Sequence, residues 1–370
     1  MRILHLLGAT DDNGGILTVL RNLQTATAGQ DCEHVLWVNA VYREVRRPAL
    51  TYRYTRHLLQ DSPNHPLLAF RALQSLPELI RLLRRERFDV LHAHTRGAFL
   101  LAVGFATLGR RRMVFTNHGY ARRCGMYRWG AGRRRLTMCV LTPNMARHYG
   151  LDTRAPNLRI ISACCGDDYF ARPTVRGGPV DPTQPMRLIG LGNIVGWKNW
   201  HLVLEAMAQL PEAERRRLEF HHWGPVPGDA ECVAYEASLK ESLARHRLQD
   251  CCFFRGLTVA VQDELRQAQW FLLPSTNEPC SVALIEALAL GLPAVVSASG
   301  GNVDIVRDGQ TGLMFEPDNP RSLAACLARI ARGEARMERP EAVRETVRMR
   351  SATAVADAYM QVYRQVVARS

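Results

Sequence analysis

Two acids and a glycine pair between residues 274 and 320 have the types and spacing to bind a phosphorylated sugar. Glu278 lies in a predicted loop, Glu286 follows eight positions later in a predicted helix, and Gly300-Gly301 follow the next predicted strand. Carboxylates accept hydrogen bonds from hydroxyls, and a glycine turn lets the backbone approach a phosphate. The combination indicates a nucleotide sugar as the ligand.

A predicted β-α-β unit positions these residues. Residues 269–273 and 294–298 are apolar runs without polar alternation, which predicts two buried strands. Residues 281–290 predict the connecting helix, because Ser281 suits an N-cap and Gly291 suits a helix stop. Such crossovers build parallel sheets that bind ligands at the carboxyl ends of their strands.

The geometry of this unit gives each candidate residue a role. Glu278 is expected at the carboxyl end of a strand, where it meets sugar hydroxyls. Val282 and Ala283 lie in the first turn of the helix, where free amides attract phosphate. Glu286 suits the hydroxyls of a ribose. Taken singly, each acid also fits an ordinary solvated position, so the assignment depends on the combination.

Further residues between 274 and 313 share the spacing of a known motif. They are Pro274-Ser275, Glu286-Ala287, Gly291-Leu292-Pro293, Gly300-Gly301 and the run from Gly309 to Leu313. Together with Glu278 they resemble the nucleotide-sugar motif of retaining GT-B glycosyltransferases of family 4 (group 1). The resemblance implies an α/β fold in which two Rossmann-like, doubly wound domains face each other across a cleft. It also implies transfer of a hexose-like sugar from a UDP- or GDP-sugar to an acceptor hydroxyl.

Lys198 supplies a cation for the diphosphate. It follows a predicted strand at 186–191 and is one of two lysines among 48 basic residues, the other being Lys240. A lysine ammonium is a compact point charge against phosphate, although a surface lysine would have the same sequence context. In family 4 an arginine stands five residues earlier, at the position of Asn193. The missing cation leaves open a protein that binds the donor without efficient transfer.

The first half of the chain predicts another doubly wound sheet. Apolar runs at 2–7, 35–38, 89–94 and 113–116 alternate with helical segments. Gly14-Gly15 precede a predicted helix at 16–28, where bare backbone can approach a phosphate or an acceptor group. The resemblance to family 4 favours a ligand role over a simple turn, with Gly14 on the acceptor side and Gly15 against the donor.

His118 completes the predicted catalytic set with Glu278 and Lys198. It lies in Thr116-Asn117-His118-Gly119, which resembles the Thr-His-Gly of the family, and the resemblance implies a position beside the transferred sugar. Its imidazole can donate to a sugar hydroxyl or to the departing phosphate, and no side chain needs to act as a covalent nucleophile. His92 and His94 fit hydrogen-bonded core residues at a strand end.

No metal ion and no cofactor are expected. The sequence has no D-x-D motif, the usual sign of a metal-bridged diphosphate, so Lys198 and helix amides would stabilise the leaving phosphate. The nucleotide sugar is then the donor substrate. Gly224 and Pro225 match a family turn near the nucleotide base and do not reveal which base it is.

The excess of positive over negative charge is confined to the first half of the chain. Residues 1–185 contain 27 arginines and 13 acids, whereas residues 186–370 contain 21 basic and 22 acidic residues. Arg122 and Arg123 belong to this excess and are predicted on the acceptor side. A basic face suits a glycan on an anionic lipid carrier or an anionic membrane surface. A purely basic binding module stays an alternative, but nucleic acid is disfavoured because no recognition motif accompanies the charge.

Composition also predicts the domain boundaries and the compartment. We expect an acceptor domain at 1–170, a Pro- and Gly-rich linker at 171–185, a donor domain at 186–350, and a helix at 351–370 that returns to the first domain. Ten cysteines with adjacent pairs, no C-x-x-C spacing and no signal peptide favour reduced thiols in the cytoplasm. The longest apolar run, 98–108, is too short to span a bilayer, so membrane contact would be peripheral, at the inner face.

Overall fold

The protein is described by a computed structural model that covers residues 1–10, 12, 14–44, 50–59, 65–109, 111–171 and 184–369. It divides into two compact units. The first consists of Met1–Cys164 and Arg350–Ser370, and the second of Cys165–Met349. Within the described ranges, none of the helices combines the length and the apolar character needed to cross a membrane.

The first unit alternates strands and helices along the chain. Its elements are β1 (Arg2–Leu6), α1 (Gly15–Ala26), β2 (Glu33–Asn39), β3 (Thr51–Thr55), α2 (His65–Arg85), β4 (Val90–Ala93), α3 (Arg96–Leu108), β5 (Met113–Asn117), α4 (Gly125–Ala131), β6 (Leu136–Val140), α5 (Pro143–Tyr149) and β7 (Leu158–Ile160). The strands form one parallel sheet in the order β3-β2-β1-β4-β5-β6-β7. The order reverses between β1 and β4, as in a doubly wound fold.

The second unit repeats this plan. Its elements are α6 (Asp168–Ala171), β8 (Met186–Leu191), α7 (Trp200–Gln209), α8 (Glu212–Arg215), β9 (Leu218–Trp223), α9 (Ala230–Arg245), β10 (Cys252–Phe254), α10 (Val261–Arg266), β11 (Trp270–Leu273), α11 (Val282–Ala289), β12 (Ala294–Ser297), β13 (Gly312–Phe315), α12 (Pro320–Ala331) and α13 (Pro340–Glu345). The strands pair in parallel in the order β10-β9-β8-β11-β12-β13. Here the order reverses between β8 and β11.

The last helix, α14 (Ala352–Ala368), belongs to the first unit, where it packs against α1. Ser351 caps its first turn by accepting a hydrogen bond from Ala354 N. Its apolar stripe is buried and includes Tyr359 and Tyr363, so the helix covers one face of the seven-stranded sheet.

The doubly wound α/β fold predicted for each half is confirmed. The predicted helix at 281–290 is α11, and Ser281 caps it by accepting from Leu284 N. The predicted facing of the two domains across a cleft stays a prediction, and most of the predicted linker, 172–183, lies outside the described residues.

The predicted boundary at residue 170 differs from the division in the structure, which falls between Cys164 and Cys165. Helix α6 groups with the second unit because it packs against α11. Tyr169 anchors it there, since its side chain is 8% exposed. The composition of the segment around Tyr169 resembles that of a connecting loop, so the sequence does not reveal that this side chain is buried.

We expect removal of the Trp200 side chain to destabilise the second unit far more than removal of the Trp197 side chain. Trp200 is fully buried, packs against Phe220 and donates its indole N–H to the carbonyl of Asn193, whereas Trp197 is 51% exposed. Trp200→Ala should lower the free energy of unfolding by about 3–5 kcal/mol, as measured by urea titration. Equal losses in Trp200→Ala and Trp197→Ala would contradict this packing.

Candidate functional site

A charged pair occupies the point where strand order reverses in the second sheet. Strands β8 and β11 are neighbours, and Lys198 follows β8 while Glu278 follows β11. Lys198 Nζ donates to Glu278 Oε2 at 2.5 Å, and the two side chains are 11% and 8% exposed. The crevice beyond the carboxyl ends at such a reversal is where doubly wound sheets bind their ligands.

The glycine pair holds Glu278 in place. Gly301 N donates to the Glu278 carbonyl at 2.7 Å. Gly300 has φ +58°, and a Cβ atom there would lie 2.5 Å from the same carbonyl oxygen, so only glycine permits this approach. Ser275, fully buried, donates its hydroxyl to Glu278 Oε2 at 3.2 Å. The sequence predicted that the glycine pair would let the backbone approach a phosphate. The Gly301 amide instead donates its hydrogen bond within the protein.

The segment that carries Lys198 is also fixed by hydrogen bonds. A 3-10 turn at Gly196–Lys198 ends at Asn199, which has φ +55°. Asn199 donates from its side chain to Asp318 Oδ1 at 2.9 Å and Thr276 Oγ1 at 3.3 Å. The ammonium of Lys198 lies 4.5 Å from the centroid of the Trp197 ring, a cation–π distance. The structure thus brings Lys198 and Glu278 together, although the sequence placed one against phosphate and the other against sugar.

Gly224 serves the close approach of β8 and β9. It has φ +158°, and a Cβ atom there would lie 1.9 Å from the carbonyl oxygen of Gly192. Gly224 N donates to Gly256 O, and Ile194 N donates to Pro225 O. The Asn193 carbonyl accepts from Trp200. These three predicted donor-binding positions, Asn193, Gly224 and Pro225, therefore shape the loops that leave β8 and β9.

Glu286 lies on α11 next to a tyrosine that sequence reasoning missed. Burial and the neighbouring Glu286 carboxylate raise the pKa of the Tyr169 hydroxyl well above its usual value. Tyr169 therefore stays protonated and can act as a donor. Val282 and Ala283, in the first turn of α11, are half-buried. In the sequence Tyr169 stands directly before Phe170, at the end of the predicted acceptor domain, and no motif or spacing singled it out.

The predicted glycines of the first unit lie at the start of α1. Gly14 is the N-cap residue, with φ +98°, and Gly15 is the first residue of the helix. Apart from its two chain neighbours, none of the described residues has an atom within 4 Å of a Cβ built on Gly14, and both glycines are exposed. The backbone here is open to an approaching ligand.

His118 follows β5 and is neutral. Burial lowers its pKa to about 3, so the ring carries a single N–H at physiological pH. Its Nε2 lies 3.0 Å from Nδ1 of His94. His118 is partly exposed, unlike the buried His94. A neutral imidazole can donate or accept, but not both from one nitrogen.

Arg122 and Arg123 are exposed on the segment that connects β5 to α4. Helix α4 adds two exposed apolar side chains, Met126 at 42% and Trp129 at 45%. The Arg133 guanidinium stacks on the Trp129 ring at 3.9 Å. We call these five residues the α4 patch, which combines positive charge with apolar surface.

One group of described residues has the composition of a metal site. Ring nitrogens of His5, His92 and His94 lie within 4.8 Å of one another. All six nitrogens of these rings already have hydrogen-bond partners: His5 and His94 bond to each other, and the other four nitrogens bond to His34, His118, Tyr363 and Thr116. A metal ion would have to displace those bonds, so the group fits a hydrogen-bonded core better.

Two parallel sheets, each with a reversal in its strand order, place this chain in the class of doubly wound α/β proteins. The family profile described as "Glycosyl transferases group 1" matches residues 173–349, and "Glycosyltransferase Family 4" matches residues 13–149. The chain belongs to the group 1, family 4 glycosyltransferases.

Two curated relatives show how far sequence similarity extends. A putative colanic acid biosynthesis glycosyltransferase of Salmonella typhimurium is 28% identical over 41% of this chain and 37% of its own length. A D-inositol 3-phosphate glycosyltransferase of a Nocardioides species is 36% identical over 44% of this chain and 37% of its own length. The matched segments span about two-fifths of these relatives.

Solved structures share the fold over the whole chain. Sucrose-phosphate synthase from Thermosynechococcus elongatus superposes with a TM-score of 0.78 at 19% identity, covering all of both chains. Anabaena HepE in complex with UDP and glucose has a TM-score of 0.75 at 15% identity, covering 99% of this chain and all of HepE.

We expect Lys198 and Glu278 to be energetically coupled. Removing one charge leaves the other buried without its partner, which is costly, so Lys198→Met or Glu278→Gln alone should lower the free energy of unfolding. The double variant should lose about 1–3 kcal/mol less than the sum of the single losses. A double-mutant cycle by urea unfolding measures this, and strict additivity would refute the coupling.

Proposed function

We propose that this chain is a retaining glycosyltransferase that moves a hexose-like unit from a UDP- or GDP-sugar to an acceptor hydroxyl without a metal ion. The observation that carries the proposal is the Lys198–Glu278 pair at the strand reversal of the second sheet. Family membership and the fold support it. The HepE complexes, which contain UDP and glucose or UDP-glucose, support a nucleotide sugar as the donor.

In this proposal Lys198 stabilises the departing diphosphate. The ammonium is largely buried and preoriented by Glu278, so it requires little reorganisation when negative charge develops on the leaving oxygen. The carboxylate of Glu278 keeps one oxygen against Lys198 and offers lone pairs to sugar hydroxyls. The amides of Val282 and Ala283, at the N-terminus of α11, add partial positive charge for the phosphate.

Glu286 is proposed to bind the ribose. A carboxylate accepts two hydrogen bonds from adjacent hydroxyls, and the protonated Tyr169 hydroxyl beside it can hold that carboxylate in position. Gly224, Pro225 and Asn193 line the turns after β8 and β9, where the nucleotide base would bind. Gly15 would contact the donor and Gly14 the acceptor through the open backbone at the start of α1.

The reaction proceeds with same-face attack in this proposal. The acceptor hydroxyl attacks the anomeric carbon as the bond to the diphosphate breaks, and the departing phosphate takes the proton of the hydroxyl. Configuration at the anomeric carbon is therefore retained without a covalent enzyme intermediate. His118 contacts the transferred sugar.

The acceptor is proposed to be a lipid-linked glycan or the precursor of a surface polysaccharide. Relatives named for colanic acid and amylovoran biosynthesis and a lipopolysaccharide galactosyltransferase with the same fold support this class. The α4 patch supports peripheral binding of the protein to the inner face of the cytoplasmic membrane.

A donor panel tests the activity. Purified protein with UDP- and GDP-hexoses and a lipid-linked acceptor should release nucleoside diphosphate, and added EDTA should leave the rate unchanged. Lys198→Ala should lower kcat about 100- to 1,000-fold, because it removes a group that stabilises transition-state charge. Glu286→Ala should raise the donor KM about 10- to 100-fold, since it removes charged hydrogen bonds.

Lys240→Ala is the matched control. Lys240 is the other lysine of the chain, and its exposed side chain pairs with Glu236 within α9. This variant should behave like the unchanged protein. Full activity in both Lys198→Ala and Glu286→Ala would defeat the site assignment.

A protein that binds the donor without transferring it is the second candidate, motivated by Asn193 at the family's arginine position. Calorimetry separates the two functions. Donor binding with no product under any acceptor condition would favour the second candidate, and any glycosylated product would eliminate it.

We expect the α4 patch to bind anionic vesicles. Trp129→Ser combined with Arg122→Ser and Arg123→Ser should weaken sedimentation with phosphatidylglycerol vesicles about 10-fold or more, because each nearby arginine contributes about 1 kcal/mol. Binding should fall with salt and be absent with phosphatidylcholine. Unchanged binding in the triple variant would remove the patch from the proposal, and salt-sensitive binding to oligonucleotides alone would favour a nucleic-acid partner.

A further inference from the structure

Four histidines form a hydrogen-bonded row across the sheet of the first unit. His34 lies on β2, His5 on β1, His94 directly after β4 and His118 directly after β5. These strands are consecutive in the sheet, and the row contains one histidine from each. The family assignment uses only His118 and gives the other three no role.

Each bond of the row joins the same two kinds of atom. His34 Nδ1 lies 2.9 Å from His5 Nε2, His5 Nδ1 lies 2.9 Å from His94 Nε2, and His94 Nδ1 lies 3.0 Å from His118 Nε2. A neutral imidazole has one N–H and one lone pair. Each hydrogen bond therefore needs one N–H and one lone pair, and it always joins Nδ1 of one ring to Nε2 of the next. The N–H bonds of four neutral rings must then all point the same way along the row.

Burial keeps the rings neutral. It lowers the pKa of His34 to about 4 and that of His118 to about 3, and it lowers the pKa values of His5 and His94 well below their usual range. His34, His5 and His94 are each at most 4% exposed. At pH 7 the row therefore has two states, with the N–H on every Nε2 or on every Nδ1.

Thr27 selects between the two states. Its hydroxyl lies 2.8 Å from the Leu23 carbonyl and 3.1 Å from His34 Nε2. The carbonyl can only accept, so the Thr27 hydroxyl donates to it and accepts from His34. His34 Nε2 must then carry the hydrogen. Cys32 agrees with this direction, because its thiol can donate to Met360 Sδ at 3.8 Å while its sulfur lies 3.6 Å from His34 Nε2.

The position of the hydrogen on His34 fixes its position on every ring as far as His118. With hydrogen on every Nε2, His118 donates to His94, and its own Nδ1 keeps a lone pair. Among the residues that the structure describes, Nδ1 of His118 has no hydrogen-bond partner, and His118 as a residue is partly exposed. The end of the row that reaches the surface is thus an acceptor.

We propose that Thr27, His34, His5 and His94 form a histidine relay that fixes His118 as a hydrogen-bond acceptor for a substrate hydroxyl. This role rests on the proposed glycosyl transfer. The sequence left two options for the imidazole, a hydrogen bond with a sugar hydroxyl or donation to the departing phosphate. The relay favours the first, in which His118 accepts a hydrogen bond from a substrate hydroxyl. The four relay members are positioning residues, since only His118 would touch the substrate. No proton is transferred in this role.

His92 provides an internal control because it lies beside the relay but outside it. Its ring centroid is 4.0 Å from that of His94, yet its nitrogens bond to Tyr363 OH and Thr116 Oγ1, both at 2.8 Å. Tyr363→Phe removes the buried hydroxyl that bonds to His92, and Thr27→Val removes the buried hydroxyl that bonds to His34. Only Thr27→Val acts on the relay.

Nitrogen NMR of histidine-labelled protein tests the relay without any substrate. His118 is assigned by its loss in His118→Gln, and it should carry hydrogen on Nε2. Thr27→Val should raise the population of the Nδ1–H form of His118, whereas Tyr363→Phe should leave it unchanged. A wild-type His118 protonated on Nδ1, or a Thr27→Val spectrum with no change at His118, would overturn the relay.

Kinetics test the substrate role separately. Thr27→Val should lower kcat/KM about 3- to 10-fold, the size of one hydrogen bond, and Tyr363→Phe should not. Thermal unfolding of both variants checks that each is folded at the assay temperature. A shifted tautomer with unchanged kcat/KM would overturn the substrate role. The NMR result is independent of whether the chain transfers sugar, which the donor panel decides.

Discussion

Strands β8 and β11 are neighbours at the point where the strand order of the second sheet reverses, and the candidate site depends on that adjacency. Residues 80 positions apart come within 2.5 Å because both follow the carboxyl ends of neighbouring parallel strands. The loops are tight enough to keep them there. Gly224 lets β9 approach the Gly192 carbonyl, and Gly300-Gly301 fix the backbone of Glu278.

Stability alone gives a weak explanation for the buried charges of this pair, and the proposed donor binding gives a better one. Desolvation of an ion pair offsets most of its attraction, so apolar residues of similar size are often as stable. In the proposed function, the ammonium held by a carboxylate at the strand reversal is preorganised for a diphosphate. The ion pair also limits the cost of burying Lys198 in the protein without ligand.

The first sheet has the same strand order at its reversal but uses neutral groups. Histidines from four neighbouring strands satisfy one another, and Tyr359 and Tyr363 of α14 hydrogen-bond to Thr116 and His92. Helix α14 therefore closes the histidine face with hydroxyl groups instead of a purely apolar surface. Buried polar networks of this kind are stable when every member has a partner, and the open end at His118 is the exception.

The motif from Pro274 to Leu313 and the apolar strands predicted the doubly wound fold and the segments that carry the candidate site. Capping also predicted where α11 begins, because the N-cap interaction is local to Ser281 and Leu284. The sequence could not predict the domain boundary, since the burial of Tyr169 depends on α11, which follows more than 100 positions later.

The sequence by itself determined where the buried strands lie and which residues follow them, because an apolar run and the turn residues that bound it are local properties of the chain. Only the tertiary structure decided which strands are neighbours. It therefore decided that Lys198 meets Glu278, that Glu286 lies beside Tyr169, and that His5, His34 and His94 line up with His118. Parallel crossovers bring distant segments together, and the lateral order they create has no periodic signature in the sequence.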